Sequence, residues 1–279
     1  MGLAAADLYD ADVTGRAAVS SCHAWSVRGR PLCLLRLAAV VGALLAAIGA
    51  AHAQSPGDAA RALLRNYQDD PARIDQARDL LETALARAGA ADTATLVTLS
   101  RAWFLFAENR ARTEDARLAA YERGRAAAQR AIADAPDSAD AHLWYAINLG
   151  SWAQVKGLLR SLITLKTIRQ EVDTVLRLDP DNIEGHVMAG SLFRDLPALM
   201  GGDPAQAEQH FKRARARDPH LTGVRIELAL LYSNTGRIAE ARRELEGVLD
   251  EPAPTDRPRW LLKETPRARA MLESLRDKP

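Results

Sequence analysis

The sequence predicts an all-α protein, a stack of antiparallel helix pairs, and three observations carry that prediction. The first is composition: of 279 residues, 48% are hydrophobic and 26% charged, while only 5% are aromatic. Ala, Leu, Arg and Glu dominate, a globular balance that favours helix on intrinsic propensity. The second is punctuation. Pro136, Pro180 and Pro219 each follow a helical stretch, in A-P-D, D-P-D and D-P-H, and Pro252 follows more loosely, giving intervals of 44, 39 and 33 residues. The third is that small and large residues recur at fixed places inside those intervals.

A repeat of about 34 residues with variable insertions is the signature of tetratricopeptide arrays, here about four to five antiparallel helix pairs in an α-solenoid. The last interval fits best. With Thr222 at place 1, Leu228 and Ala229 fall at 7 and 8, Tyr232 at 11, Gly236 at the turn, Ala241 at 20 and Leu245 at 24. Small residues at 8 and 20 let two helices approach closely, and large ones at 7, 11 and 24 fill the gap between them. The preceding interval fits once five extra residues separate its helices: Gly190 at 8, Phe193 at 11, Ala207 at 20, Phe211 at 24 and Ala214 at 27. One interval earlier, Trp144 is read at place 4, with a longer first helix or an insertion through 151–165.

Residues 1–53 stand apart from the array. Arg28, Arg30 and Arg36 precede an uncharged run from Leu37 to Ala51, and Ala51-His52-Ala53 offers a small-residue cleavage site before Gln54. Those features make residues 28–53 a secretory signal peptide cleaved after Ala53. The run of 15 residues is short for a membrane span, which needs roughly 17–25. The expectation is a periplasmic or exported protein, with residues 1–27 upstream of the true start.

Cys22 and Cys33 both precede the cut, so disulfides, a thiol nucleophile and a cysteine metal site are excluded from the mature chain. Beyond residue 53 there remain 33 basic and 33 acidic residues. A balanced charge argues against nucleic-acid binding, which leans on many cationic contacts to phosphate.

In the mature chain, residues 54–91 form a degenerate helix pair, about 57–67 and 71–88, capping the array. Leu80, Leu81, Ala84 and Leu85 mark its apolar stripe and Gly89 its stop. The repeats occupy 92–252, opening with a helix that carries Leu96, Leu99, Trp103 and Phe106, then one from Thr113 to Ala133. The tail 253–279 ends in a helix at about 266–276 that packs over the end of the array.

No G-x-S-x-G, H-E-x-x-H, P-loop or G-x-G-x-x-G is present, so the chain is read as non-enzymatic and without cofactor. His186 and His210 lie on the two helices of one repeat but lack a third metal ligand, and ordinary, partly exposed positions explain them. Two stretches carry candidate binding residues. One is the insertion Leu196–Asp203. Asp203 caps the next helix, Pro204 suits its first place, Gln206 completes a capping box, and Gly201 and Gly202 free the backbone before the cap. Leu196, Pro197, Leu199 and Met200 need another explanation: they either fold back on the array or face a ligand or partner. On the residues alone fold-back is the simpler reading. The other stretch is the helix 141–157, where Tyr145, Leu149, Trp152 and Lys156 make one face. An aromatic stripe is more often inter-helix core, yet a lysine at its end would also suit a groove for an anionic apolar molecule.

The combination of A-H-L-W-Y-A-I-N-L-G (141–150), R-L-D-P-D-N (177–182) and the L-P-A-L-M-G-G-D insertion followed by A-E-Q-H-F-K-R-A resembles the T component of tripartite ATP-independent periplasmic transporters. The resemblance spans about 92–250. It implies an envelope repeat protein that associates with a periplasmic solute-binding protein and handles hydrophobic carboxylate ligands, with a homo-oligomer allowed. The family's type member is a lipoprotein, and no lipidation cysteine is placed for that here. The same layout also looks like animal regulators of microtubule dynamics. Two functions are therefore carried forward: an adaptor of the transporter type, and a generic envelope scaffold for protein–protein interaction.

Overall fold

The computed structural model describes residues 55–88 and 92–276. The stretch 28–53 expected to be a signal peptide, both cysteines and Gly89 lie outside the described residues. Within them every regular element is helical. The order is α1 (Pro56–Arg65), α2 (Ala72–Ala88), α3 (Thr93–Asn109), α4 (Glu114–Asp134), α5 (Ala139–Lys156) and α6 (Leu158–Leu178). Next come α7 (Ile183–Asp195), a 3-10 turn (Ala198–Met200), α8 (Pro204–Arg217), α9 (Thr222–Asn234) and α10 (Ile238–Leu249). A helical turn (Arg257–Arg259) and a π-helical turn (Trp260–Glu264) lead into α11 (Thr265–Ser274).

The helix starts follow from local chemistry. Ser55, Asp92, Thr113, Ser138, Asn182 and Asp203 each turn a side-chain oxygen onto a first-turn backbone N–H, satisfying donors that have no partner within the helix. Successive helices pair as α1–α2, α3–α4, α5–α6, α7–α8 and α9–α10. The chain is thus an all-helical repeat array, as its periodicity predicts.

The interior is a series of local cores, the arrangement expected when each repeat packs mainly on its neighbours. Leu64, Ile74, Leu81, Trp103 and Tyr121 join the first four helices. Leu149, Ile168, Val172 and Ala189 join α5, α6 and α7. Phe211, Ile226, Leu228, Tyr232 and Leu245, with Ala268 and Leu275 of the α11 end, close the far side. The buried core residues of the described chain run from Ala60 to Leu275. No helix among the described residues is long and apolar enough to cross a membrane.

Place-by-place agreement is close where the chain was read as a repeat. Ala207, Phe211, Ala229, Ala241 and Leu245 are all fully buried. A Cβ on Gly190 would lie 2.5 Å from the Phe211 ring, which is why place 8 of that repeat has no side chain. Gly236 takes φ 76° at the last turn, where glycine avoids the usual Cβ penalty.

Several expectations need correction. α5 begins at Ala139, matching Ile183 and Thr222, so Trp144 sits at place 6 and His142 at place 4. Of the two readings of 151–165, the longer first helix holds, with 18 residues against 13 in α7 and in α9, and there is no inserted loop. α5 runs to Lys156, breaks at Gly157 with φ 93°, and α6 continues to Leu178. In α2 the buried stripe is Ile74, Ala77 and Leu81, and Leu80 points outward. His186 is 5% exposed and belongs to the interior. The last helix does pack on α10, as α11, but it spans Thr265–Ser274.

Candidate binding surface

The elbow between α7 and α8 is a built turn. Pro197 O accepts from Met200 N at 2.8 Å and from Gly202 N at 3.0 Å, and Gly201 N donates to Ala198 O at 2.9 Å. Asp203 N reaches back to Phe193 O at 2.8 Å, clamping the two ends of the insertion together. Gly201 adopts φ 85°. A Cβ on Gly202 would fall 1.7 Å from Leu196 O, so no other residue fits that backbone. The capping box is only half of the expected form. The Asp203 carboxylate accepts from Ala205 N and Gln206 N, but the Gln206 amide donates to that same carboxylate, because the Asp203 N–H is already committed to Phe193. The Gln206 side chain and these backbone donors hold the Asp203 carboxyl below its ordinary range.

Of the four apolar residues of this turn, Pro197, Leu199 and Met200 do not fold back. Leu199 is fully exposed and Met200 is exposed, while Leu196 is half-buried and Pro197 is at the surface. A rigid turn instead presents them outward. Its outer strut comes from α6, where the Arg169 guanidinium donates to Met200 O at 2.5 Å. Beneath the turn lies a cleft of about 390 Å³ lined by Arg169, Val172, Asp173, Leu192, Phe193 and Gln206 among others. Small-molecule sites begin at about this size. The cleft thus sets an apolar wall beside one guanidinium, one amide and one carboxylate, that of Asp173.

Behind the cleft, Phe193 stacks on His210 with ring centroids 5.5 Å apart, and His210 Nδ1 lies 2.9 Å from His186 Nδ1. His186 Nε2 sits 3.0 Å from Pro180 O. With the proton of His186 on Nε2, His210 is the donor between the two rings. Burial, then the Arg213 cation, depress His186, while the Pro180 carbonyl opposes them; burial and the neighbouring His186 depress His210. Among the described residues no group of three or more His, Cys, Asp or Glu is arranged to hold a metal.

The α5 face is placed differently. Leu149 is buried, and Tyr145 and Trp152 pack against the core shared with α6. The Trp152 indole donates to Glu122 at 2.9 Å. Lys156 lies at the outer end of that face. The structure brings Leu196, Pro197, Leu199 and Met200 together at the elbow, packs Tyr145, Leu149 and Trp152 between helices and leaves Lys156 exposed. Arg169 was not singled out from sequence; nothing local marks an arginine whose partner carbonyl lies 31 residues on.

A second surface is already occupied by the chain itself. The segment after α10 crosses back over the first helices: Lys263 Nζ donates to Glu108 O at 3.2 Å, and Glu264 accepts from Thr222 at 2.5 Å and pairs with Arg259 at 2.9 Å. Burial, then the carboxylate of Asp256, push the Tyr67 phenol up to about 12.

Comparison with known proteins matches this geometry. A tetratricopeptide repeat model matches residues 198–265. A thermophilic tetratricopeptide repeat protein of Thermus thermophilus aligns with a TM-score of 0.57 at 22% identity, covering 77% of this chain and all of that one. The chain is a tetratricopeptide-type repeat protein. The regulator of microtubule dynamics protein 1-3 model matches residues 58–196 of this repeat protein, so the two matches meet at the elbow. Regulator of microtubule dynamics protein 3 of Rattus norvegicus is 24% identical over 138 residues, which is 44% of this chain. Cellulose synthase operon protein C of Xanthomonas axonopodis pv. citri is 34% identical over 101 residues, 36% of this chain. The repeat protein spans 29% of the first relative's length and 6% of the second's.

Proposed function

We propose that this repeat protein is an exported, non-enzymatic adaptor of the cell envelope, working as the T component of a tripartite ATP-independent periplasmic transporter does. Its elbow engages a periplasmic solute-binding protein, and the cleft beneath takes an apolar group bearing a carboxylate. The observation that carries the reading is the fully exposed Leu199 on a hydrogen-bonded turn. Exposed apolar side chains gathered in one patch mark an interaction site. The sequence resemblance to that transporter component supplies the choice of partner.

The test is affinity capture on the chain from Gln54 to Pro279, in parent form and as Leu199→Ser with Met200→Ser. A solute-binding protein recovered in stoichiometric amount by the parent and lost by the variant is the expected result. Both side chains are exposed, so stability should stay within about 0.5 kcal/mol. Equal capture by both proteins would overturn the role of the elbow.

A generic scaffold role is the second reading, and the packing of the α5 aromatic stripe as core favours it. Under it, added fatty acid leaves tryptophan fluorescence unchanged and capture yields no solute-binding protein.

A further inference from the structure

We infer that the free start of α6, beside the elbow, is a docking face for an anionic phospholipid surface. α6 spans 21 residues against 13 in α7. Its buried residues Ile168, Val172 and Val175 lie from its midpoint onward, so its first turns overhang the neighbouring repeat. On that overhang Leu158 and Leu159 are 77% and 72% exposed, and Leu162 and Ile163 are exposed beside them. Leu158, Leu162 and Arg169 fall at i, i+4 and i+11, one face that leads to the Arg169–Met200 contact and so to the exposed Leu199. Most of the large exposed apolar side chains of the described residues are gathered on these two segments.

Charge selects the occupant. Lys156, Arg160, Lys166 and Arg169 flank the leucines, and no carboxylate occurs from Lys156 through Gln170. Of the neighbouring acids, Glu171 pairs with His142, Asp195 with Arg194 and Asp203 with the start of α8, while Asp173 lines the cleft one turn beyond Arg169. α6 also begins without a side-chain cap or an acidic first turn, leaving backbone donors and the positive end of the helix dipole beside the leucines. Exposed apolar side chains interleaved with cations are the pattern of helices that lie in the membrane interface, leucines in the acyl boundary and cations at anionic headgroups. A second copy meeting this face about a two-fold axis would set the same cations against each other.

The experiment is vesicle co-sedimentation of the chain from Gln54 to Pro279, the compact unit that holds every core cluster of the described residues. Vesicles of phosphatidylglycerol mixed with phosphatidylcholine are compared with phosphatidylcholine alone. Binding to the anionic vesicles only, weakened by salt, is expected, with a loss of about tenfold or more in Leu159→Ser/Ile163→Ser and in Lys156→Glu/Arg160→Glu. Circular dichroism of these surface variants should match the parent. Equal binding to both vesicle types, no binding at low salt, or serine variants that bind as the parent does would each overturn the inference. So would a concentration-dependent dimer, abolished by Leu159→Ser, in a chain that ignores vesicles.

Discussion

The fourth residue of a first helix meets the same place on its partner helix in three repeats, and each pair is polar. His142 faces Glu171 at 2.5 Å, His186 faces His210 at 2.9 Å, and Arg225 faces Glu244 at 3.2 Å. Two of these pairs join a cation-capable group to a carboxylate, while the middle one opposes two imidazoles. Around it stand Arg213, which disfavours a charge on either ring, and Asp179 and Asp181, which favour one on His186. The net effect lowers both histidines below their ordinary value of 6.5. The unfolded chain, whose histidines are unperturbed, therefore takes up more protons as pH falls. Stability held at neutral pH is lost as pH drops below about 6.5, since folding is disfavoured wherever the unfolded state binds more protons. His210→Glu would recreate the pairing of His142 with Glu171 and raise His186 instead, so its stabilisation would be present at low pH. Urea midpoints at pH 5.5 and 7.5 should fall with acid in the parent and fall less, or rise, in the variant. Parallel pH dependence in both proteins would contradict this account.

At the scale of the element, the elbow and α6 mark what sequence can and cannot convey. Gly201, Gly202 and Asp203 were legible, because positive φ, close backbone approach and capping each demand a narrow set of residues. Whether Leu199 points inward was not legible. An apolar residue in a loop has the same letter in either case, and only the Asp203–Phe193 and Arg169–Met200 hydrogen bonds decide it. The α5 stripe shows the reverse: its periodicity was plain, but periodicity alone does not say whether a neighbouring helix covers the face. The overhang of α6 was missed for a related reason, since it depends on how short α7 is. The turn makes a direct prediction. With a backbone oxygen 1.7 Å from where a Cβ would stand, Gly202→Ala must open the Gly202–Pro197 hydrogen bond. A loss of about 1–3 kcal/mol is expected from urea denaturation. A loss below about 0.5 kcal/mol would mean that the turn is not built in this way.

The repeats pack in chain order, yet the segment after α10 also reaches α3, through Lys263 and Glu108. The first-helix surface of the array, where an extended partner could otherwise lie, carries this segment through Thr222–Glu264 and Lys263–Glu108. Its anchor is Trp260, whose indole donates to Val248 O at 2.7 Å and whose ring packs on the last core. The Lys263 contact is a single exposed hydrogen bond and contributes little on its own. In a stack held by nearest-neighbour interfaces, damage at one end should spread only as far as those interfaces transmit it. Trp260→Ala removes a half-buried indole and its hydrogen bond, at a cost of about 2–4 kcal/mol. The expected pattern in native-state hydrogen exchange is faster opening of α9, α10 and α11, with α1 to α4 keeping their protection because their core contains no residue of the tail. Equal loss of protection in α1 to α4 would mean that the Lys263–Glu108 bridge, rather than the local cores, makes the array one cooperative unit.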